Sequence, residues 1–166
     1  MNDVATQSGV IPYRLGQNGL EVLLITSRET RRWVIPKGNI SGRRSAHMAA
    51  KREAYEEAGV RGDVESAPLG FYTYQKILKD GTAQPTIVEV FALRVRKEAK
   101  NWPEKAERHG QWMTPQEAAS HVQEPGLAAL LLQLAERHQV MMGDLRVRSE
   151  IHGCLILRIS EIPMAA

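Results

Sequence analysis

The apolar residues fall first into two β-rich runs, residues 8–15 (SGVIPYRL) and 20–27 (LEVLLITS), separated by Gly16-Gln17-Asn18-Gly19. A glycine-bounded interval between two such runs predicts a β-hairpin. A short strand over Trp33 to Ile35 follows and ends at Pro36, and a glycine-containing loop runs from there to Ser45. The period then becomes helical to Ala58, with Ser45 placed as N-cap and Gly59 as C-cap. Residues 69–78 and 86–95 alternate at period two around Asp80-Gly81, which predicts a second hairpin and a mixed sheet. Trp112 to Thr114 reads as one more short strand, and Pro125 opens an amphipathic helix to about Gln139. Residues 141–166 hold two alternating segments, LRVRSEI and CLILRIS, joined near His152-Gly153, which predicts a terminal hairpin. An edge hairpin, an oligomer contact that would make a homodimer, and a free tail are the readings this stretch leaves open. The expected organisation is a main domain over 1–140 and a C-terminal hairpin or tail over 141–166.

A chain of 166 residues fits one domain and buries about two-thirds of its unfolded surface. No metal or disulfide is needed merely to hold it together. With 43% apolar and 25% charged residues, and no wholly apolar run longer than Leu127 to Leu132, a membrane partner is excluded from the expectation. The segment MNDVATQSGV has neither a basic start nor an apolar stretch, and Cys154 has no cysteine to pair with, so a reducing cytoplasm is expected. Cys154 is read as a small buried residue rather than a nucleophile. The net charge is only +3, yet between Arg28 and Arg52 eight basic side chains face one acid, Glu29. That excess attracts a polyanion. A solvated basic loop, nucleic acid and a small polyphosphate all remain compatible with it; the 5% aromatic content weighs against nucleic acid.

On a helical wheel, Glu53, Glu56 and Glu57 fall within ~100° of one another. Ala46, Ala49 and Ala50 point nearly the same way, while Met48, Lys51 and Tyr55 lie opposite. Small residues between acids let the helix press against a sheet while the carboxylates enter the crevice. Like charges so close raise one another's pKa unless a cation sits among them, and hard Mg²⁺ prefers such oxygen ligands. The alternative is a solubilising surface with an Arg52–Glu56 pair at i, i+4.

Gly38, followed fourteen residues later by Arg52-Glu53-Ala54-Tyr55-Glu56-Glu57-Ala58-Gly59-Val60, resembles the signature of the Nudix hydrolase family. The resemblance extends over roughly Ser8 to Arg137, through Arg32-Trp33-Val34-Ile35-Pro36-Lys37 before the box and Trp112 with Glu117-Ala118 after it. It implies an α/β/α sandwich with a mixed sheet, and metal-dependent cleavage of a phosphoanhydride bond in a small-molecule polyphosphate. A dinucleoside polyphosphate is favoured over a diphosphoinositol-type substrate, and a non-catalytic nucleotide sensor is the rival reading. By the same resemblance Glu53, Glu57, Glu56 and the Lys37 carbonyl would make the site for Mg²⁺, or Mn²⁺ in its place, with Glu53 and Glu57 as direct ligands. Glu53, Glu56 and Arg52 would be the catalytic residues, Glu56 being the base that takes a proton from water. Arg52 would orient the carboxylates. The family usually carries a glutamate six positions after the box glycine; here that residue is Arg44. Arg28, Arg14, Lys37, Lys76 and Arg108 are the candidate phosphate donors, Arg28 first among them, and Trp33 and Trp112 are candidates for stacking on a base.

Overall fold

The computed structural model describes residues 4–40, 42 and 44–159, the side chains of 144–159 excepted. Strands β1 (Ala5–Gly16) and β2 (Gly19–Thr26) form the first expected hairpin, paired from Tyr13↔Val22 to Gly16↔Gly19. Strands β3 (Trp33–Val34) and β4 (Lys37–Asn39) follow, then helix α1 (Ala46–Ala58) and strand β5 (Val60–Val64). Strands β6 (Gly70–Ile77) and β7 (Ala83–Glu98) make the second expected hairpin, and β8 (Gly110–Met113) precedes helices α2 (Pro115–His121) and α3 (Pro125–Ile159).

These strands form one mixed sheet in the order β3-β2-β1-β7-β5, with β4 added on β1, β6 on β7 and β8 on β2. Only β1 and β7 run parallel among these pairs, over Ala5↔Thr86 to Tyr13↔Arg94. Strand alternation then sends neighbouring side chains to opposite faces. Ile11, Val22, Leu24, Val88, Val90 and Ala92 pack on one side with Ala118 of α2 and Leu127, Leu131 and Leu134 of α3. Val10, Leu23, Phe91 and Leu93 pack on the other with Ala50 and Ala54 of α1. A sheet buried on both faces by helices is the α/β/α sandwich the resemblance implied.

Three elements escape the sequence pattern. Strand β4 lies inside the stretch expected as loop, and β5 follows the box helix directly. Helix α2 begins at a full capping box: the Thr114 hydroxyl accepts from the Glu117 amide, and the Glu117 carboxylate accepts from the Thr114 amide at 2.9 Å.

The expectation for the C-terminal stretch needs correction. Residues 141–159 continue α3 as helix rather than forming a hairpin. Leu, Met and Arg supply eight of these nineteen residues and favour helix, and an isolated glycine such as Gly153 is tolerated inside one; a two-residue period over so few positions does not outweigh that. Residues 160–166, the end of the expected hairpin, lie outside the described residues, as does the Cys154 side chain whose burial was expected. The chain divides into two compact units, Met1–Leu134 and Ala135–Ala166. Among the described residues no helix is long and apolar enough to cross a membrane.

Candidate active site

Helix α1 occupies the expected residues, with Ser45 at the N-cap and Gly59 closing it in the left-handed region at φ 69°. Its buried residues are Ala49, Ala50, Glu53, Ala54 and Glu57. Two carboxylates therefore sit on the face that meets the sheet, where the alanines leave room for them. Glu53 and Glu57 are only 8% and 7% exposed. Glu56 is not on that face: its side chain is 40% exposed and lies 3.5 Å from Arg52 Nε, the i, i+4 pair that the sequence also allowed.

Strand β4 supplies the opposing wall. A Cβ on Gly38 would overlap the Glu53 carboxylate, so only glycine lets that side chain lie against the strand. Arg52 fixes the same carboxylate from the helix side, donating from Nη2 to Glu53 Oε1 at 2.9 Å. One step earlier on β4, the Lys37 amide donates to Glu57 Oε2 at 3.0 Å. The Val10 amide bonds the Pro36 carbonyl at 3.0 Å, and the register pairs Gly9 with Lys37, so Lys37 occupies a position that does not bond to β1. In an extended strand the N–H and C=O of one residue face the same edge. The Lys37 carbonyl thus faces the acids together with its amide.

The loop between β7 and β8 crosses the end of α1, where the Ala99 amide bonds the Gly59 carbonyl at 2.7 Å and the Glu104 amide bonds the Glu56 carbonyl at 3.0 Å. It delivers Arg108 to Glu57. The Arg108 guanidinium bonds the Glu57 carboxylate, Glu104 at 2.5 Å and the Thr26 carbonyl at 3.2 Å. Burial nevertheless pushes the Glu57 carboxyl up to about 7, against the pull of Arg108 and the Lys37 amide. Loss of hydration lowers the Lys37 ammonium to about 8, although Glu57 opposes the shift.

Glu57, Lys37 and Arg108 open into a cleft of about 770 Å³, lined also by Arg28, Arg32, Tyr74, Lys76 and Glu124. Four of the five expected phosphate donors, Arg28, Lys37, Lys76 and Arg108, are thereby brought together. Arg14 is not among them. It pairs with Glu21 and Glu98 at 2.7 Å each and stacks over Trp112 at 4.1 Å. Neither expected stacking residue lines the cleft: Trp112 is covered by Arg14, and Trp33 packs against the core with its ring 6.0 Å from His109. Among the described lining residues the only aromatic ring is Tyr74, with Lys37 Nζ 5.1 Å and the Arg32 guanidinium 5.9 Å from its centroid. The Tyr74 hydroxyl donates to Gln7 at 2.8 Å, and Gln7 donates to Asn39 at 3.1 Å, tying β6, β1 and β4 into one wall.

Sequence reasoning missed Arg32 and Glu124 as cleft residues. They form an ion pair inside it, and the second Glu124 oxygen is buried without a hydrogen-bond partner. The crowd of basic residues over 28–52 contained Arg32, but nothing in sequence spacing tied it to an acid 92 positions away.

A divalent cation can be tested against this donor set. Among the described residues no three acidic, histidine or cysteine side chains converge. Two buried carboxylates do lie against consecutive residues of β4, Glu53 at Gly38 and Glu57 at Lys37, whose carbonyl is turned the same way, and all of these are hard oxygens. Mg²⁺ commonly takes one or two protein carboxylates and completes its shell with water and substrate phosphate, so the residues fit it.

Comparisons with known proteins agree with this geometry. Residues 6–134 match the family model of the NUDIX domain. "Nudix hydrolase 12, mitochondrial" of Arabidopsis thaliana is 32% identical over 167 aligned positions, covering 90% of this chain and 80% of its own. "Diphosphoinositol polyphosphate phosphohydrolase 3-alpha" of Mus musculus is 32% identical over 106 positions, 62% of this chain and 60% of its own. Among solved structures, a C. elegans Ap4A hydrolase binary complex superposes with a TM-score of 0.62 at 20% identity, covering 82% of this chain and 98% of the other. The NUDIX domain of Shewanella oneidensis NrtR, complexed with ADP ribose, superposes with a TM-score of 0.62 at 15% identity, covering 82% and 90%. At those identities the two structures speak for the fold alone.

Proposed function

The chain belongs to the Nudix hydrolase family, and from that premise we propose that it cleaves a phosphoanhydride bond in a substrate carrying several further phosphates, with Mg²⁺ held at Glu53, Glu57 and the Lys37 carbonyl. Nudix hydrolases act on nucleoside diphosphate derivatives and generally use divalent metal ions. The observation that carries the narrower reading is the convergence of Arg28, Arg32, Lys37, Lys76 and Arg108 on the cleft that contains Glu57. Glu29, Glu57 and Glu124 in the same lining offset part of this charge, and Arg32 and Arg108 are held by acids. Lys37 and Lys76, which make no ion pair among the described residues, and the loosely held Arg28 are the cations left for the outer phosphates.

A bound divalent ion would neutralise charge developing on the phosphoryl oxygens and acidify water. The chain's own residues do the rest. Arg52 keeps the Glu53 carboxylate in place, and the Lys37 amide and Arg108 do the same for Glu57. Lys37, Lys76 and Arg28 bind and orient the outer phosphates. Glu56, half-exposed beside Arg52, remains the candidate to accept the proton of the attacking water.

The sequence reading placed a dinucleoside polyphosphate before a diphosphoinositol polyphosphate; the cleft favours the reverse order. A nucleobase asks for an open aromatic or apolar face, and the only ring among the described lining residues, Tyr74, lies beneath Lys37 and Arg32. A phosphorylated polyol asks only for cations and hydrogen-bond donors. The carboxylates buried at Glu53 and Glu57 speak against a sensor without turnover, because binding alone gains nothing from burying two acids together. The single cysteine supports a reducing compartment such as the cytoplasm.

Purified protein with Mg²⁺, offered inositol pyrophosphates, diadenosine polyphosphates, ADP-ribose and nucleoside triphosphates, should turn over the inositol pyrophosphates with the highest kcat/KM and release phosphate. Preference for ADP-ribose would overturn the phosphate-dense reading. Thermal stabilisation by these compounds with no product from any of them would establish the sensor.

A further inference from the structure

We infer that the outer face of α1 carries a second anion site, built for a small phosphate-bearing molecule with a planar or apolar body and separate from the cleft that contains Glu57. A pocket of about 680 Å³ lies there, lined by Arg44, Ser45, Met48, Lys51, Arg52, Tyr55, Arg61 and Gly62. Its volume is in the range that holds small organic ligands. Met48, Arg52 and Tyr55 are spaced at i, i+4 and i+7 and share one side of the helix, opposite the buried side that holds Glu57.

Charge sets this pocket apart. Its lining has four cations and no carboxylate. Elsewhere in the molecule Arg14, Arg28, Arg32, Arg96 and Arg108 all have acidic partners. In the pocket only Arg52 does; among the described residues Arg44, Lys51 and Arg61 make no ion pair or side-chain hydrogen bond. Asp63 feels the charge of Lys51, but its carboxylate is held by Arg96 at 2.7 Å. Arg44, Lys51 and Arg61 leave three unpaired like charges around one cavity, and a multiply charged anion relieves their repulsion. Arg44 is central to the excess, since this is the position at which the Nudix box usually has an acid.

The site is also built rather than merely charged. The Arg61 guanidinium is stacked 4.0 Å from the centre of the Tyr55 ring, which restricts its motion and leaves its edge to donate. A register shift in the pairing of β5 with β7 falls between Arg61 and Gly62. Such bulges redirect side chains, and this one depends on glycine, because a Cβ on Gly62 would collide with the Arg94 carbonyl oxygen. Met48, 46% exposed, gives the pocket an apolar wall that a bare phosphate would not use. The combination of a soft apolar wall, a stacked aromatic and unpaired cations suits an organic phosphate such as a nucleotide better than a naked anion.

The test titrates the full-length protein with ADP, and separately with pyrophosphate, while backbone amide NMR signals are followed without divalent ions. The amides of Lys51, Tyr55, Arg61 and Gly62 should shift saturably with ADP, and with pyrophosphate only at higher concentration. In an Arg44→Glu, Arg61→Glu double variant the ADP response of these amides should weaken at least tenfold, while the cleft amides of Ser27, Tyr74 and Lys76 respond as before. That retained response reports an intact fold; if it is lost as well, the single variant Lys51→Ala, at a half-buried position on the outer side of the helix, should weaken the pocket response alone. Shifts confined to the cleft, an unchanged pocket affinity in the variants, or a pocket response to an RNA oligonucleotide with none to ADP or pyrophosphate would each overturn the inference.

Discussion

Arg108 and Glu57 form an ion pair in which each side chain is only 9% exposed, although 51 residues separate them in sequence. The pair joins the loop after β7 to the box helix and sets the floor of the cleft. Desolvation of two charges is costly and their attraction returns only part of it, which is why Glu57 keeps an elevated pKa even beside a guanidinium. Arg108 was expected as a phosphate donor. It lines the cleft, but its first task is to hold the carboxylate.

Glu57→Gln should therefore act on chemistry more than on folding. Losing a group that stabilises transition-state charge typically lowers kcat by about 10²-fold or more. Arg108 keeps Glu104 and the Thr26 carbonyl as partners, so the stability loss should stay below the roughly 3–5 kcal/mol of a fully orphaned buried charge. Single-turnover rates together with urea unfolding separate the two effects, and a near-normal rate would remove Glu57 from the mechanism.

Gly38→Ala should impair the same centre from the other wall. The added methyl group meets the Glu53 carboxylate and pushes it away from β4. At least a tenfold fall in kcat is expected, since small displacements of catalytic groups cost that much or more. Unfolding curves should change far less than rates; the opposite pattern would make Gly38 a folding residue only.

The pH dependence of stability in the metal-free protein follows from two buried groups. Glu57 has a folded pKa of about 7, above the 4.5 of an unfolded glutamate, so its contribution is complete below 4.5 and is lost as pH rises through 7. Lys37 has a folded pKa of about 8, below 10.5, so its contribution is present above 10.5 and is lost as pH falls through 8. Both terms are at their weakest between about pH 7 and 8. With chelator present, the urea midpoint should fall between pH 5 and 7, and Glu57→Gln should flatten that fall; an identical slope in the variant would assign it to other groups.

Arg28→Ala and Lys76→Ala should raise KM several-fold with little change in kcat, because both residues reach the outer cleft rather than the buried acids. Arg28 is 58% exposed at its side chain and only loosely held by Glu107 at 3.3 Å, so it can move to a phosphate at small cost. Steady-state kinetics at two ionic strengths checks this. A kcat effect with unchanged KM would contradict the assignment.

The box helix was legible in sequence almost to the residue, because capping positions, alanine spacing and acid spacing all gave the same boundaries. Both hairpins were legible for a similar reason: turn residues and apolar runs agreed. What escaped depends on tertiary context. The wheel grouped Glu56 with Glu53 and Glu57, yet angular proximity does not decide which side of Arg52 a carboxylate takes. Strand β4 is three residues long and draws its identity from β1 and the acids it faces, not from its own composition. Arg32 meets Glu124 only through the fold, and Arg14, the candidate arginine that lies on a strand, ends over Trp112 at the far end of β1. The continuation of α3 shows that a short two-residue period is weak against strong helix formers.

Cleavage of the phosphoanhydride bond requires that Glu53 and Glu57 hold a divalent ion. Titration of the protein with Mn²⁺, followed by water-proton relaxation, measures that directly in the wild-type chain and in the Glu53→Gln and Glu57→Gln variants. Saturable binding that Mg²⁺ displaces, weakened at least tenfold in each variant, is the predicted result. Mn²⁺ affinity that is absent from the wild type, or equal in all three proteins, would contradict it.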